Sequence, residues 1–73
     1  MKKYTVIYER GKRNWSAYVP DLPGCIATGK TRRVVENRIK EAVILHIESL
    51  RFHGEPVPAP STEASTLSLP AVA

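Results

Sequence analysis

The segment WSAYVPDLPGCIATGKT, residues 15–31, restricts what this chain can fold into more than any other. A strand, a tight turn, a second strand and a helix start follow one another there almost without spacing. The alternating apolar residues of 15–19 are typical of a strand with one buried face. Pro23 fixes φ at about −65° and Gly24 supplies a positive φ, which together predict a type II turn. The chain therefore reverses here, and residues 25–28 resume as the next strand.

Another strand and a helix complete the predicted body. Residues 4–9 alternate in the same way, and a loop at Gly11 joins them to the Trp15 strand as a hairpin. The Thr31 hydroxyl can cap a helix, and after it the apolar period changes to about 3.6 residues, until Gly54 ends the pattern. The sequence thus predicts an α+β fold of order β-β-β-α-β. A three-stranded antiparallel meander has one helix packed on one face.

The C-terminal part differs in composition. With 73 residues we expect a single domain over 1–73, with a folded body at 1–54 and a Pro-rich, extended exit at 55–64. Polar and apolar residues alternate from 65 to 72, which predicts a last strand at the sheet edge, with Pro70 marking the end of its pairing.

Positive charge is concentrated in the body. The net charge is +4, and all 11 Lys and Arg residues lie at or before Arg51. The first hairpin loop and the helix start lie at the same end of a meander, so two basic clusters converge there. We define the basic patch as a candidate anion or nucleic-acid site formed by Arg10, Lys12, Arg13, Lys30, Arg32 and Arg33. A helix N-terminus offers free N–H donors to a phosphate, but most charge runs of this kind are only solvated surface.

The helix carries more apolar surface than one sheet face needs. Beside the main apolar stripe lies a second line of apolar residues, the helix seam, formed by Val34, Leu45 and Phe52. The seam predicts a protein interface, and small marginal domains tend to associate, so we expect a homodimer or higher symmetric oligomer.

Catalysis and metal binding have little support. Glu9, Asp21 and Glu36 are scattered, whereas a two-metal nuclease site needs clustered carboxylates. Cys25 and His46 fall on predicted core positions, so burial explains them better than a nucleophile and base. We therefore expect no enzyme activity and no cofactor. A single cysteine and the lack of a leader or membrane-spanning pattern predict a cytoplasmic protein with no membrane association.

A family resemblance rests on two runs, AYVPDLPGCIATGKT and EAVILHIESLRFHGEPVPAPST. They resemble the HicB-like antitoxin family, whose members carry a similar P-x-L-P-G-C…G-x-T segment, one helix and a Pro-rich exit. The resemblance extends roughly from Tyr4 to Thr62. It implies a degraded, partial ribonuclease-H-like fold and a partner, usually a small basic HicA-type toxin that cleaves RNA.

Two functions follow as hypotheses. The first is a non-catalytic protein-binding domain that neutralises such a toxin by masking it. The alternative is a small basic nucleic-acid-binding module that uses the basic patch. The two differ in the surface they require, since masking uses apolar area and nucleic-acid binding uses the cations with strong salt dependence.

Overall fold

A computed structural model describes residues 2–71, in which three antiparallel strands precede one long helix. The elements are β1 (Ile7–Arg10), β2 (Trp15–Tyr18), β3 (Ile26–Gly29) and α1 (Arg32–Phe52). The sheet order is β1-β2-β3, with Tyr8 opposite Ala17 and Ala17 opposite Ala27. The predicted α+β meander with one helix is confirmed.

The turn between β2 and β3 has the predicted geometry. Gly24 has a φ of +86°, and the Cys25 N–H donates to the Leu22 carbonyl at 3.0 Å, which closes the four-residue turn. Leu22, in the same loop, is fully buried. The turn therefore reverses the chain and also fills the core.

The core lies between one sheet face and the helix. Its buried members come from β2, the turn region and the first two turns of α1, and they are Ala17, Val19, Leu22, Cys25, Val35 and Ile39. The opposite sheet face carries a row of apolar residues in register, Ile7, Tyr18 and Ile26, of which Ile26 is 63% exposed. We call this the open-face row.

Both ends of α1 are capped as the sequence predicts. The Thr31 hydroxyl accepts from the Val34 N–H at 3.2 Å. At the other end Gly54 has a φ of +68°. Its N–H donates to the Arg51 carbonyl, and the Glu55 N–H donates to the Leu50 carbonyl. That pair of bonds is a Schellman motif, which stops the helix at a defined residue.

The segment after the helix is extended. Residues 55–71 contain no helix or strand, and from Glu63 to Ala71 every residue is exposed. The predicted edge strand over 65–72 is therefore absent from the described residues 65–71 of a single chain, and Val72 lies outside the described residues. The physical reason is that no strand lies beside this segment, so Leu67 and Leu69 stay 81% and 71% exposed.

Candidate protein-binding and anion-binding surfaces

One exposed stripe of the second half of α1 alternates carboxylates with large apolar side chains. Glu41, Leu45, Glu48 and Phe52 are spaced by four, three and four residues and so lie on one face of the helix. Leu45 is 64% exposed and Phe52 is 86% exposed. We call these four residues the helix stripe. It offers apolar contact and negative charge together, which suits a basic protein partner.

Only two of the three predicted seam residues are available for binding. Val34 begins the same line but is half-buried, because it packs on Gly29 of β3. A Cβ built on Gly29 would lie 2.8 Å from Val34 Cγ1. Val34 therefore holds the helix on the sheet, while Leu45 and Phe52 remain uncovered.

The structure brings four of the six basic-patch residues together. Arg10, Lys12, Arg13 and Lys30 line one shallow cleft at the hairpin end, with Trp15 at its side. Arg10 stacks over the Trp15 ring at 5.9 Å. The hairpin and the β3 exit meet there as the meander topology predicts, so this part of the patch is a real cluster.

Arg32 and Arg33 do not line that cleft. The Arg32 guanidinium lies over the Tyr8 ring, 4.4 Å from its centroid, and its Nε lies 3.3 Å from Glu36 Oε1. Arg32 thus has an aromatic and an acidic partner within the chain, on the β1 side of the helix. Arg33 is exposed at the first turn.

Arg38 is a basic residue that sequence reasoning missed. Its Nη1 donates to the Thr28 carbonyl at 2.8 Å, and it lines a second cleft with Arg13 and Lys30. Four residues after Val34, it lies on the side of α1 next to β3. That spacing was the available signal for placing it beside the patch.

Asp21 is the second residue that sequence reasoning missed. Its carboxylate accepts four hydrogen bonds of 2.7–3.0 Å from the backbone and hydroxyl groups of Ser61 and Thr62. The Thr5 hydroxyl also donates to the Thr62 carbonyl, and the Tyr4 hydroxyl donates to that of Pro58, both at 2.6 Å. We call these contacts the tail clamp. They fasten the Pro-rich exit to the body.

The tail clamp shifts the acidity of Asp21. Hydrogen bonds from the Thr62 and Ser61 backbone N–H groups stabilise the carboxylate and lower its pKa from 3.8 to about 2. This carboxylate, which looked isolated in the sequence, therefore has a structural task.

The groups considered for catalysis lie apart or are buried. Within residues 2–71, no three His, Cys, Asp or Glu side chains lie close enough together to hold a metal ion. Cys25 is 3% exposed, as predicted, and burial raises the pKa of its thiol, which disfavours the reactive thiolate. In that same part of the chain α1 is not apolar enough over its length to cross a membrane.

The structure is that of a small α+β domain whose C-terminal extension is clamped to its body. Comparison with known proteins then places it: residues 4–72 match the HicB-like antitoxins of bacterial toxin–antitoxin systems, and the chain belongs to that family.

Individual relatives agree with this placement. The UPF0150 protein Ta0767 of Thermoplasma acidophilum is 41% identical over 66 residues, which are 89% of this chain and 96% of the relative. The UPF0150 protein ssr1765 of Synechocystis is 36% identical over 67 residues, or 90% of this chain and 85% of that one. Among solved structures, a chain of a HicA3 and HicB3 toxin–antitoxin complex is 30% identical with a TM-score of 0.70, over 82% of this chain and 70% of that chain.

Proposed function

We propose that this chain is a non-catalytic antitoxin that binds and masks a small RNA-cleaving toxin of the HicA type. The family and the similarity to a chain of a HicA3–HicB3 complex support this role. The observation that links this role to particular residues is the helix stripe, where Leu45 and Phe52 are exposed beside the carboxylates of the stripe. Aromatic residues such as Phe52 are enriched at protein interfaces, and a few buried side chains supply most of the binding energy there.

The charge distribution fits a basic toxin in spite of the net positive charge. Five of the 11 Lys and Arg residues line the clefts at the hairpin end, around Arg13 and Lys30. The helix stripe lies further along α1 and contributes Glu41 and Glu48. Charges of opposite sign near an apolar contact speed association and exclude wrong partners.

The architecture is consistent with the rest of the proposal. A three-stranded antiparallel meander followed by a helix is the part that a degraded ribonuclease-H-like fold would retain. An antitoxin of this kind must meet its toxin where the RNA is, so we place the protein in the cytoplasm.

The helix stripe is tested by binding to a purified, catalytically inactive HicA-type toxin from the same genome. The double variant Leu45→Ser/Phe52→Ser is expected to weaken binding at least 100-fold, since it removes both apolar contacts. Tyr18→Ser/Ile26→Ser, on the open-face row, is the matched control and should bind within threefold of the wild type. Equal losses in both variants would exclude the helix stripe as the specific site.

A second measurement isolates the carboxylates. Glu41→Lys/Glu48→Lys should slow association and reverse its salt dependence while leaving the fold intact, because both side chains are exposed. An association rate that does not change with this charge reversal would leave the apolar contact alone as the basis of recognition.

The alternative function, nucleic-acid binding, is favoured by one observation. Arg13 lies between the two clefts at the hairpin end, and neither cleft is lined by an acidic side chain. The relevant set is Arg10, Lys12, Arg13, Lys30 and Arg38, without Arg32.

Arg13→Glu/Lys30→Glu should abolish binding of a short single-stranded RNA at about 50 mM salt. Lys3→Glu/Arg51→Glu, the same charge change at the far end, should preserve it. Loss with both pairs would indicate diffuse attraction to a basic body.

A further inference from the structure

An apolar groove runs along the side of the molecule that the helix leaves open. Tyr4, Val6 and Tyr8 line it on the side of β1, and Ile39, Val43 and Ile44 line it on the side of the helix, around a volume of about 650 Å³; Lys2, Glu36 and Lys40 also line it. The first three residues are half-buried, and Ile44 is 50% exposed. The Arg32 guanidinium lies over the Tyr8 ring, beside this β1 groove.

The strand beside the groove has an unused hydrogen-bonding edge. β1 is the first strand of the order β1-β2-β3 and pairs only with β2 in the described sheet. The Gly11 N–H donates to the Asn14 carbonyl, so by antiparallel alternation the backbone groups of Ile7 and Glu9 face β2. Those of Tyr8 and Arg10 point outward. An exposed edge of this kind is a template for another strand.

The C-terminal segment has the pattern that such a site requires. Leu67 and Leu69 are two residues apart, so in an extended chain both point to the same side, while Thr66 and Ser68 point to the other. Pro70 has no N–H and ends the pairing. Residues 65–69 and Val6–Arg10 have the same number of residues, and each would extend over about 17 Å as a strand.

The chain's own tail does not fill its own groove. Both the Ser61 and the Thr62 N–H groups donate to the same Asp21 oxygen, at 2.9 and 3.0 Å. Successive N–H groups of a strand point to opposite sides, so the chain bends at this point, and the described residues 63–71 beyond it are exposed and form no strand. The radius of gyration is 14.6 Å, whereas a compact chain of this length has about 11 Å, because the tail projects from the body.

We propose that residues 65–69 of a second copy of this chain form the fourth strand beside β1, with Leu67 and Leu69 in the β1 groove. In a symmetric pair each copy gives its tail and receives the other, so two exposed leucines and one open edge are covered on each side. The tail clamp directs the tail outward. The predicted edge strand then exists only in the assembly. The β1 groove borders the helix stripe at Ile44, but residues 65–69 lie outside the stripe, so substitutions in the tail test this inference separately from toxin binding.

Sedimentation equilibrium of the full chain at tens of micromolar tests the proposal. The wild type should sediment as two copies, and Leu67→Ser/Leu69→Ser should raise the dissociation constant at least 100-fold. Thr66→Ala/Ser68→Ala changes the outward side of the same strand and should leave the constant within threefold. All four positions are exposed in the single chain, so the helical circular dichroism of both variants should match the wild type. A monomeric wild type, or equal association of the two variants, would overturn the proposal.

Cross-linking distinguishes exchange between copies from folding back within one chain. Leu69→Cys and Ile44→Cys are made in separate chains, mixed and oxidised, and Cys25 is too buried to compete. A disulfide between residues 44 and 69 of different chains is the expected product. Ile26→Cys, on the open-face row, replaces Ile44→Cys as the control and should not cross-link. A chain that carries both Ile44→Cys and Leu69→Cys tests folding back. If its 44–69 disulfide forms only within one chain, the exchange is refuted.

Discussion

The helix packs closely against one edge of the sheet and leaves the other half-covered, although both edges carry apolar residues. On β3 the residues on the helix side are small, Ala27 and Gly29, and the helix approaches until Val34 and Val35 contact the glycine. On β1 the residues on that side include Tyr8, and a groove separates them from the helix. Side-chain size on a sheet face therefore decides where a helix sits, and the area left over marks where another chain can bind.

The largest expected effect comes from comparing a buried and an exposed isoleucine of α1, both on the side that lines the β1 groove. Ile39→Ala should lower the free energy of unfolding by about 2–5 kcal/mol, because Ile39 is 2% exposed and its loss leaves a cavity. Ile44→Ala, the same chemistry at a 50% exposed position by the β1 groove, should lower it by less than about 1 kcal/mol. Urea denaturation of the two variants measures the difference. Equal losses would mean that the side chain of Ile44 is covered as fully as that of Ile39.

The close approach at β3 is tested by filling it. A Cβ on Gly29 would lie 2.8 Å from Val34 Cγ1 and 3.1 Å from Val35 Cγ2, so Gly29→Val should destabilise the fold by about 1–3 kcal/mol through overpacking. Thr28→Val places the same side chain on the open sheet face next door and should have little effect. Thermal unfolding of both variants measures the loss of stability. A Gly29→Val variant as stable as the wild type would mean that the helix is not in contact with β3.

Much of this fold was predictable because its signals are local. The type II turn depends on Pro23 and Gly24, and the helix limits depend on Thr31 and Gly54, so each is decided by neighbouring residues. The offset of the helix was not predictable, since it depends on small residues on one strand and large ones on another. The edge strand was predicted from its pattern alone and is absent from the described residues 65–71, because an alternating pattern does not place a second strand beside it.

The candidate sites were predictable only where topology alone decides. The hairpin and the β3 exit lie at one end, so the convergence of Arg13 and Lys30 follows from the meander. The pairing of Arg32 with Glu36 follows from their i,i+4 spacing on the helix, but the approach of Arg32 to Tyr8 is a contact between helix and strand that no local spacing encodes. The tail clamp joins Asp21 to residues 40 and 41 positions away, and no local pattern links them.

A substitution in the turn between β2 and β3 should have a smaller effect on stability. Gly24→Ala should destabilise the fold by about 1–2 kcal/mol, because φ is +86° and a side chain there is strained. Among the described residues, nothing lies within 4 Å of the added Cβ, so the loss is conformational and not steric. Gly24→Asn should lose less, because asparagine tolerates the left-handed region. Chemical denaturation decides, and an unchanged midpoint for Gly24→Ala would contradict the positive φ.

The smallest effect concerns the tail clamp beside the open β1 edge, and it is a pH dependence. The pKa of Asp21 is about 2 when the clamp is formed and 3.8 when it is not, so the clamp binds the charged form preferentially. Its contribution is therefore fully present above about pH 4 and is lost as the pH falls through about 2. Amide hydrogen exchange at Ser61 and Thr62, corrected for its intrinsic pH dependence, should show protection falling across that window while the amides of α1 stay protected. Asp21→Asn should remove this pH dependence, and Glu63→Gln, the adjacent acidic position, should not. Protection at Ser61 and Thr62 that is the same at pH 2 and pH 5 in the wild type would show that the carboxylate does not hold the tail.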